Sequence, residues 1–483
     1  MKNSSLTSDF NIDFFCSTKS MSEDQKKVFK SIIQDDSNHY IGGNPGTGKS
    51  YLLNCLRQYL GKKLVVTSTT GISALNVKGV TLHSFMGFYH INMDFNALVA
   101  SILKKSKKKF CALEYLVIEE CSMCDTLIFS LLEYCLRQAR KNPKPFGGVK
   151  VILIGDFMQL PPVSEYGFLF QSDAFKAGNF KIHILTHSHR QSDPVFCQVL
   201  SECRTGKLSE SSYQLLHERE LENVSEDIIR MYATNEEVDA WNNHKFNQID
   251  EPETIYYAKD TAVNEKYIKF FDKNSLIEKE LHLKPSARVV LLRNIDTPYG
   301  LINGSTGKVI SCQPHYVTVE FDNGIVKDII PYDNEYMVDG DIVAKRCQIP
   351  LKLGYAISCH KSQGLTLDKA FIDLKRIFAP GQAYVAISRL RSLDGLFLAN
   401  LSPKSFMVNF ECKNFYSECE ELLERERNEI QIKKEAIQTE INKSNPDKKV
   451  NASKKFNKLT KKNKNSKFNN REAFNEFIKS QKK

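Results

Sequence analysis

Short apolar runs alternate with longer amphipathic stretches over the first third of the chain, and that alternation predicts a β/α order. The runs LVVTS (64–68), LVI with its neighbours (116–118) and VKVILI (149–154) read as buried parallel strands. Such strands are covered on both faces, so they show near-continuous apolar residues rather than strict alternation. A shorter lead of the same kind, HYI (39–41), runs into a helical stretch from Tyr51 to Leu60. A second α/β series starts at IIRMYAT (228–234), continues in a helical run from Glu236, and resumes at 353–358. Between them, residues 287 to 346 change character. RVVLLRN, GLINGSTGKVI and YVTVEFDNG are short β runs separated by Gly and Asn turns, which predicts a small inserted β-barrel of SH3-like size. Residues 411 to 442 place Leu422, Leu423, Ile430, Ile437 and Ile441 among charges, the weak apolar stripe of a surface helix. No tandem repeat is present.

Composition narrows the class. With 483 residues, 41% hydrophobic and 26% charged, the chain suits a globular protein of two or three domains. No apolar stretch approaches membrane-spanning length, and the start, with Asp9 and Asp13, lacks the pattern of a secretory or transit segment. Thirteen cysteines without regular spacing suit free thiols in a reducing compartment, so an intracellular protein of nucleus or cytoplasm is expected, of cellular or viral source. Cys121 and Cys124 have C-x-x-C spacing, but no second pair follows at zinc-ribbon distance, and a packing role is expected. Residues 1 to 20 read as a loose lead.

Charge is unevenly distributed. The net charge is +10, yet Ile441 to Lys483 holds fourteen Lys and Arg against three Asp and Glu, a balance of +11. The first 440 residues are therefore close to neutral. This basic tail, rich in Asn and Ser, predicts a solvated, disordered arm, either solubilising or attracted to nucleic-acid phosphates. A second cluster, Lys104, Lys105, Lys107, Lys108 and Lys109, falls in a stretch near 87 to 112 that reads as a small insertion on the α/β core.

Residues 43 to 50 read GNPGTGKS, the spacing G-x-x-x-x-G-K-[ST], behind a strand-like lead and ahead of a helix. Glycines let backbone N–H groups converge on phosphate oxygens at the positive end of the helix. In this pattern Gly43, Asn44, Pro45, Gly46, Thr47, Gly48, Lys49 and Ser50 form the cradle for a nucleoside triphosphate. Lys49 neutralises the terminal phosphates and the Ser50 hydroxyl holds Mg²⁺. Downstream, LVIEECSM (116–123) is a strand ending in two adjacent carboxylates, suited to a magnesium ion and an attacking water. IGDFMQLPPV (154–163) follows, with Gln159 as a candidate phosphate sensor. HRQSD (189–193), CHKSQGLTLD (359–368) and APGQAYVAISRLRSLDG (379–395) complete the series.

In this order and at these distances the motifs resemble those of superfamily-one helicases, and in particular the PIF-type (petite integration frequency) family in the RecD-like branch. The resemblance runs from about Met21 to Gly395. Its most diagnostic part is 124 to 163, with Arg137, Arg140, PFGG (145–148) and GDFMQLPPV. It implies two RecA-like motor domains, 21–200 and 201–410, with the insertions near 87–112 and 287–346, the first acting as a duplex-splitting wedge. It further implies an ATP-dependent DNA helicase moving 5′ to 3′ on single-stranded DNA and unwinding forks in replication, repair, recombination or genome maintenance, expected to act as a monomer.

Residue by residue, the resemblance makes Gln25 the adenine reader, Glu119 a magnesium ligand, Glu120 the general base and Gln159 the γ-phosphate sensor. Arg190 and Arg389 become the two arginines that meet the γ-phosphate, and Gly364 a nucleotide contact. Thr67, Ser68, Thr69, Thr70, Gly71, His83, His360, Lys361 and Ser362 match segments lying along single-stranded DNA, where hydroxyls and amides grip phosphates without reading bases. One position departs. The family has Asp-Glu where this chain has Glu119-Glu120, which moves the first carboxylate outward by about an ångström. A second reading is therefore a nucleic-acid-binding protein whose ATPase is weakened or silent. A small-molecule kinase using the same loop is a third, opposed by Arg389 in QAYVAISR.

Overall fold

The computed structural model describes residues 12–88, 94–191, 193–221, 224–225, 228–338 and 341–443. The first lobe is a parallel sheet of β1 (His39–Gly43), β2 (Leu64–Ser68), β3 (Val80–Thr81), β4 (Tyr115–Glu119), β5 (Lys150–Ile154) and β6 (Lys181–Leu185), in the order β3-β2-β4-β5-β1-β6. The apolar runs expected as strands are β2, β4 and β5. Every residue of β1 is buried, which follows from its place between β5 and β6 with helices on both faces. On one face the helices Glu23–Gln34 and Lys49–Leu60 pack Phe29, Ile32, Leu52 and Leu56 onto Ile41, Val66 and Ile152.

Two expectations for this lobe are revised. Residues 12–17 of the supposed loose lead are helical, with Ile12 and Cys16 buried and Phe15 stacked on Phe29 at 5.3 Å. The stretch near 87–112 is, over Phe95–Ala112, a long helix. It buries Leu98, Val99, Ile102 and Phe110 and packs beside the helix Thr126–Arg140. Its lysines form the outer face of that helix, and residues 89–93 of the stretch lie outside the described residues.

The second lobe begins earlier than residue 201. The helix Pro194–Thr205 contributes Phe196, Val199, Leu200 and Cys203 to the same core as the second sheet. That sheet starts with β7 (Arg230–Tyr232). The chain then leaves it for β8 (Thr254–Tyr257), β9 (Lys259–Ala262), β10 (Glu280–Leu283), β11 (Arg288–Leu291), β12 (Thr306–Gln313), β13 (Tyr316–Phe321), β14 (Val326–Ile329), β15 (Tyr332–Val338), β16 (Asp341–Gln348) and β17 (Leu351–Leu353). It returns as β18 (Ala356–Ser358), β19 (Ala370–Asp373) and β20 (Leu396–Ala399). The parallel order is β18-β7-β19-β20.

The β-rich insertion is antiparallel. It has a five-stranded sheet β14-β13-β12-β11-β17 and a pair β10-β8 around a core of Leu281, Val289, Val309, Val319 and Leu351, and a further three-stranded sheet β15-β16-β9. It opens at β8, some thirty residues before the expected start. The exposed, polar β9 (KDTA) and a helix at Glu265–Asn274 carry little of the apolar signal that marks a strand.

The helix expected at 411–442 spans Phe410–Lys443. Its first turns place Phe415 against Phe157, Phe170 and Tyr40 of the first lobe. From Tyr416 the chain forms a separate compact unit, helical to Lys443. The basic arm expected at 443–483 lies, from residue 444, outside the described residues. Among the described residues no helix is long and apolar enough to cross a membrane.

Candidate nucleotide and nucleic-acid site

The phosphate loop joins β1 to the helix Lys49–Leu60. Gly48 caps that helix with φ of 79°, and a Cβ there would overlap the Gln25 amide, so only glycine fits. The loop is closed by Thr47, whose N–H and hydroxyl both donate to the Asn44 carbonyl at 3.3 and 2.8 Å. Lys49 folds back, its Nζ donating to the carbonyls of Gly43 at 2.6 Å and Asn44 at 3.0 Å. Burial lowers its pKa, against the pull of Asp156 and Glu120. An ammonium held only by two carbonyls has more to gain from a phosphate.

Gln25 sits behind the loop at 1% exposure. Its Nε2 donates to the Thr47 carbonyl at 3.2 Å and its Oε1 accepts from the Ser22 N–H at 3.0 Å. In this conformation its polar atoms brace the cradle, and the adenine-reading role is not on display.

The two acids end β4. Glu119 is 7% exposed, and burial together with the Glu120 charge pushes its pKa up to about 8. Glu120 has φ of 51°, a left-handed conformation that costs a non-glycine residue energy and is held here by the Thr69 hydroxyl on its carbonyl at 2.8 Å. Burial raises its pKa as well, while Lys49 and Arg389 oppose the shift. Ser68 pairs in register with Glu119 across β2 and β4, and this explains a correction. Thr67 and Ser68, expected along the DNA, are fully buried. Thr67 donates to the Val117 carbonyl at 2.7 Å and Ser68 to the Glu119 carbonyl at 3.2 Å. Ser73 donates to the Glu119 carboxylate itself. Thr70 accepts from the Ser73 N–H as cap of the helix Gly71–Asn76, and Gly71 is buried at its start. Ser68, Thr69 and Ser73 thus serve the acids from behind, while Thr67 and Thr70 bond elsewhere.

Gln159, 6% exposed, follows β5 inside the first sheet, Arg190 follows its edge strand β6, and Arg389 and Gly364 come from the second lobe. Arg190 donates Nη1 to the Ser388 carbonyl at 2.9 Å, and Gln191 donates Nε2 to the Ser388 and Leu390 carbonyls at 3.2 and 2.9 Å. Arg389 is oriented by the Val385 carbonyl and the Ser388 hydroxyl, both at 2.9 Å. Burial, reinforced by Arg389, lowers the Arg190 pKa to about 9, and burial also lowers that of Arg389. Two desolvated guanidiniums side by side make a site that favours a polyanion.

These groups meet. Lys49, Ser50, Glu119, Glu120, Gln159, Arg190, Gly364 and Arg389, with Pro45, Gly46 and Gly48, border one cleft of about 430 Å³ between the lobes. Thr366, Arg391, His189 and Ile302 also line it and were not singled out from the sequence. Thr366, Arg391 and His189 lie inside the motor motifs, and Ile302 lies in the GLINGSTGKVI run of the β-rich insertion, where nothing marks it as a cleft residue. The Ser50 hydroxyl and Glu119 carboxylate are hard oxygen donors at the rim of this cleft. They fit a magnesium ion that keeps several waters.

The remaining strand-side expectations divide. Ser362 is fully buried, its hydroxyl donating to the Cys359 carbonyl at 2.7 Å, so it offers nothing to a strand. His83 is half-buried beside Phe88, and Phe85 is in the core. His360 and Lys361 are half-buried, and His360 lies near-parallel to the exposed Phe378 ring at 6.2 Å. Cys121 and Cys124 are both buried, in keeping with packing.

Comparison with known proteins agrees with the geometry. Residues 20–211 match the PIF1-like helicase family model, and residues 267–312 match that of the DNA helicase Pif1 2B domain. The ATP-dependent DNA helicase Pif1 of Bdellovibrio bacteriovorus is 32% identical over 401 residues, covering 81% of this chain and 90% of that protein. The Homo sapiens ATP-dependent DNA helicase PIF1 is 33% identical over 82% of this chain, which spans only 63% of the human protein. Bacteroides Pif1 in complex with ADP-AlF4 superposes with a TM-score of 0.73 at 28% identity, covering 83% of this chain and 98% of that one. The same bacterial protein bound to single-stranded DNA gives 0.56 at 29% identity, covering 83% and 97%.

Proposed function

The chain belongs to the PIF1-like helicase family, and from that membership we propose that it is an ATP-dependent DNA helicase that moves 5′ to 3′ on single-stranded DNA and opens forked duplex. The observation that carries this reading is the single cleft in which Lys49, Ser50 and Glu120 of one lobe face Arg389 of the other.

The residues divide the work. Lys49 leaves the Gly43 and Asn44 carbonyls for the terminal phosphates. Glu120, flanked by Lys49 and Arg389, orients the attacking water and takes up its proton. Gln159, Arg190 and Arg389 stabilise the charge that spreads over the transferred phosphoryl oxygens. When bound, Mg²⁺ held by Ser50 and Glu119 would neutralise phosphate charge and lower the Glu119 pKa.

Motion follows from the same contacts. A triphosphate bridging Lys49 and Arg389 favours the closed cleft, and loss of the γ-phosphate removes the bridge. Alternate gripping of the strand by the two lobes then becomes directed movement. His360, Lys361 and His83 are the half-buried groups that support strand contact, along with the backbone near Thr69 and Thr70. Every catalytic position other than Glu119 carries the family's residue, which favours an active ATPase over the silent alternative.

The test is unwinding of a 5′-tailed against a 3′-tailed duplex with ATP and Mg²⁺, alongside Lys49→Ala. Opening of the 5′-tailed substrate alone, lost in the variant, supports the reading. ATP hydrolysis that ignores single-stranded DNA would sink it.

A further inference from the structure

We infer that the turn at residues 300–305 of the β-rich insertion is a built wall of the nucleotide cleft, with Ile302 the side chain that closes its phosphate end. The inference rests on the nucleotide-binding reading above and adds to it a contact from a third part of the fold.

Ile302 borders the same space as Lys49, Glu120, Arg190 and Arg389. An aliphatic side chain half-exposed to a charged cleft gains little from folding. It gains when an occupant covers it, because it then keeps bulk water from the electrostatic contacts on the phosphates.

Hydrogen bonds within the turn and to β11 tie Ile302 in place. The Ile302 N–H donates to the Ser305 hydroxyl at 3.0 Å, and that hydroxyl donates to the Gly300 carbonyl at 3.0 Å. The Asn303 N–H donates to Asn294 Oδ1 at 2.8 Å. Gly304 N–H and Ser305 carbonyl close a ladder with Leu291 of β11, both at 2.8 Å. With β12 beginning at Thr306, the turn is continuous with the five-stranded sheet. On its other side Gly304, at φ of 101°, lies so close to the Thr366 carbonyl that a Cβ would overlap it. Thr366 and Gly364 border the cleft themselves. The insertion is thereby keyed to the second lobe's nucleotide face, and an occupant touching Ile302 bears on the whole β sheet behind it.

The test is hydrogen exchange of the full chain with and without a non-hydrolysable ATP analogue and Mg²⁺. Slowed exchange at residues 43–50 together with 301–306 is expected. Protection of 43–50 with no change at 301–306 overturns the inference while leaving the nucleotide reading intact. No protection at 43–50 removes both. In parallel, Ile302→Ala should raise the ATP concentration for half-maximal hydrolysis by roughly tenfold, with Ile302→Val close to the parent. Ile310→Ala, exposed on β12 of the same insertion, should change nothing. Parental kinetics in Ile302→Ala would also overturn it.

Discussion

Asp156, wholly buried at the end of β5, receives both Nε and Nη2 of Arg204 at 3.1 and 2.9 Å, a two-point ion pair that joins the motif carrying Gln159 to the first helix of the second lobe. The Gln159 N–H donates to the Asp156 carbonyl at 2.9 Å, so the pair also fixes the approach of that side chain to the cleft.

Removing one partner leaves a buried charge uncompensated, which costs about 3–5 kcal/mol. Arg204→Ala should therefore lower stability strongly, measured by denaturant unfolding. A paired Asp156→Leu, Arg204→Met replacement should recover most of that loss. If Arg204→Ala unfolds at the parental midpoint, the pair does not hold the lobes.

Arg389→Ala should leave nucleotide binding nearly intact while slowing hydrolysis by about 10³ to 10⁵, the usual contribution of a transition-state arginine. Fluorescent-nucleotide titration and single-turnover hydrolysis separate the two. Unchanged turnover would remove Arg389 from the site.

Gly381, at φ of +76°, faces the carbonyl oxygens of Met158 and Gln159, each 2.5 Å from where a Cβ would lie. Gly381→Ala should displace the Gln159 segment and lower both stability and ATPase. Gly324→Ala is the control, since φ there is +82° with open space around it, and it should cost about 1 kcal/mol. Equal effects of the two would show that the approach to Gln159 is unimportant.

His39 and His183 lie side by side on β1 and β6, Nδ1 to Nε2 at 3.0 Å, with Asp35 and Lys181 against them and Lys150 nearby. Burial lowers their pKa values to about 4 and about 3. The unfolded chain then binds protons that the folded one refuses, so stability is full above the ordinary histidine value near 6.5 and falls as pH drops toward 4. Urea midpoints between pH 7 and 4 should decline, and His183→Leu should decline less. Equal slopes would exclude the pair as the source.

The phosphate loop and the Glu119-Glu120 strand end were readable because each depends on a few neighbouring residues, whereas the two arginines came only with the family resemblance. A buried strand, a glycine turn and a helix start place Lys49 and Ser50 wherever the rest of the chain goes. Order along the chain, in the motifs of the family, then implied that they converge.

What the tertiary structure decided is which way side chains face. By resemblance TSTT at 67–70 lies along single-stranded DNA, its hydroxyls gripping phosphates. The in-register pairing of Ser68 with Glu119 turns it toward the acids. Phe95–Ala112 is a core helix because a neighbour, Thr126–Arg140, covers its apolar face; its lysine run alone gave no sign of that. Arg204 meets Asp156 from 48 residues away, and Ile302 meets the first-lobe side of the cleft from more than 100 residues away. Local sequence specifies the chemistry a residue carries through strand and helix periods. Long-range register and packing choose the partner it meets, and no local pattern encodes that choice.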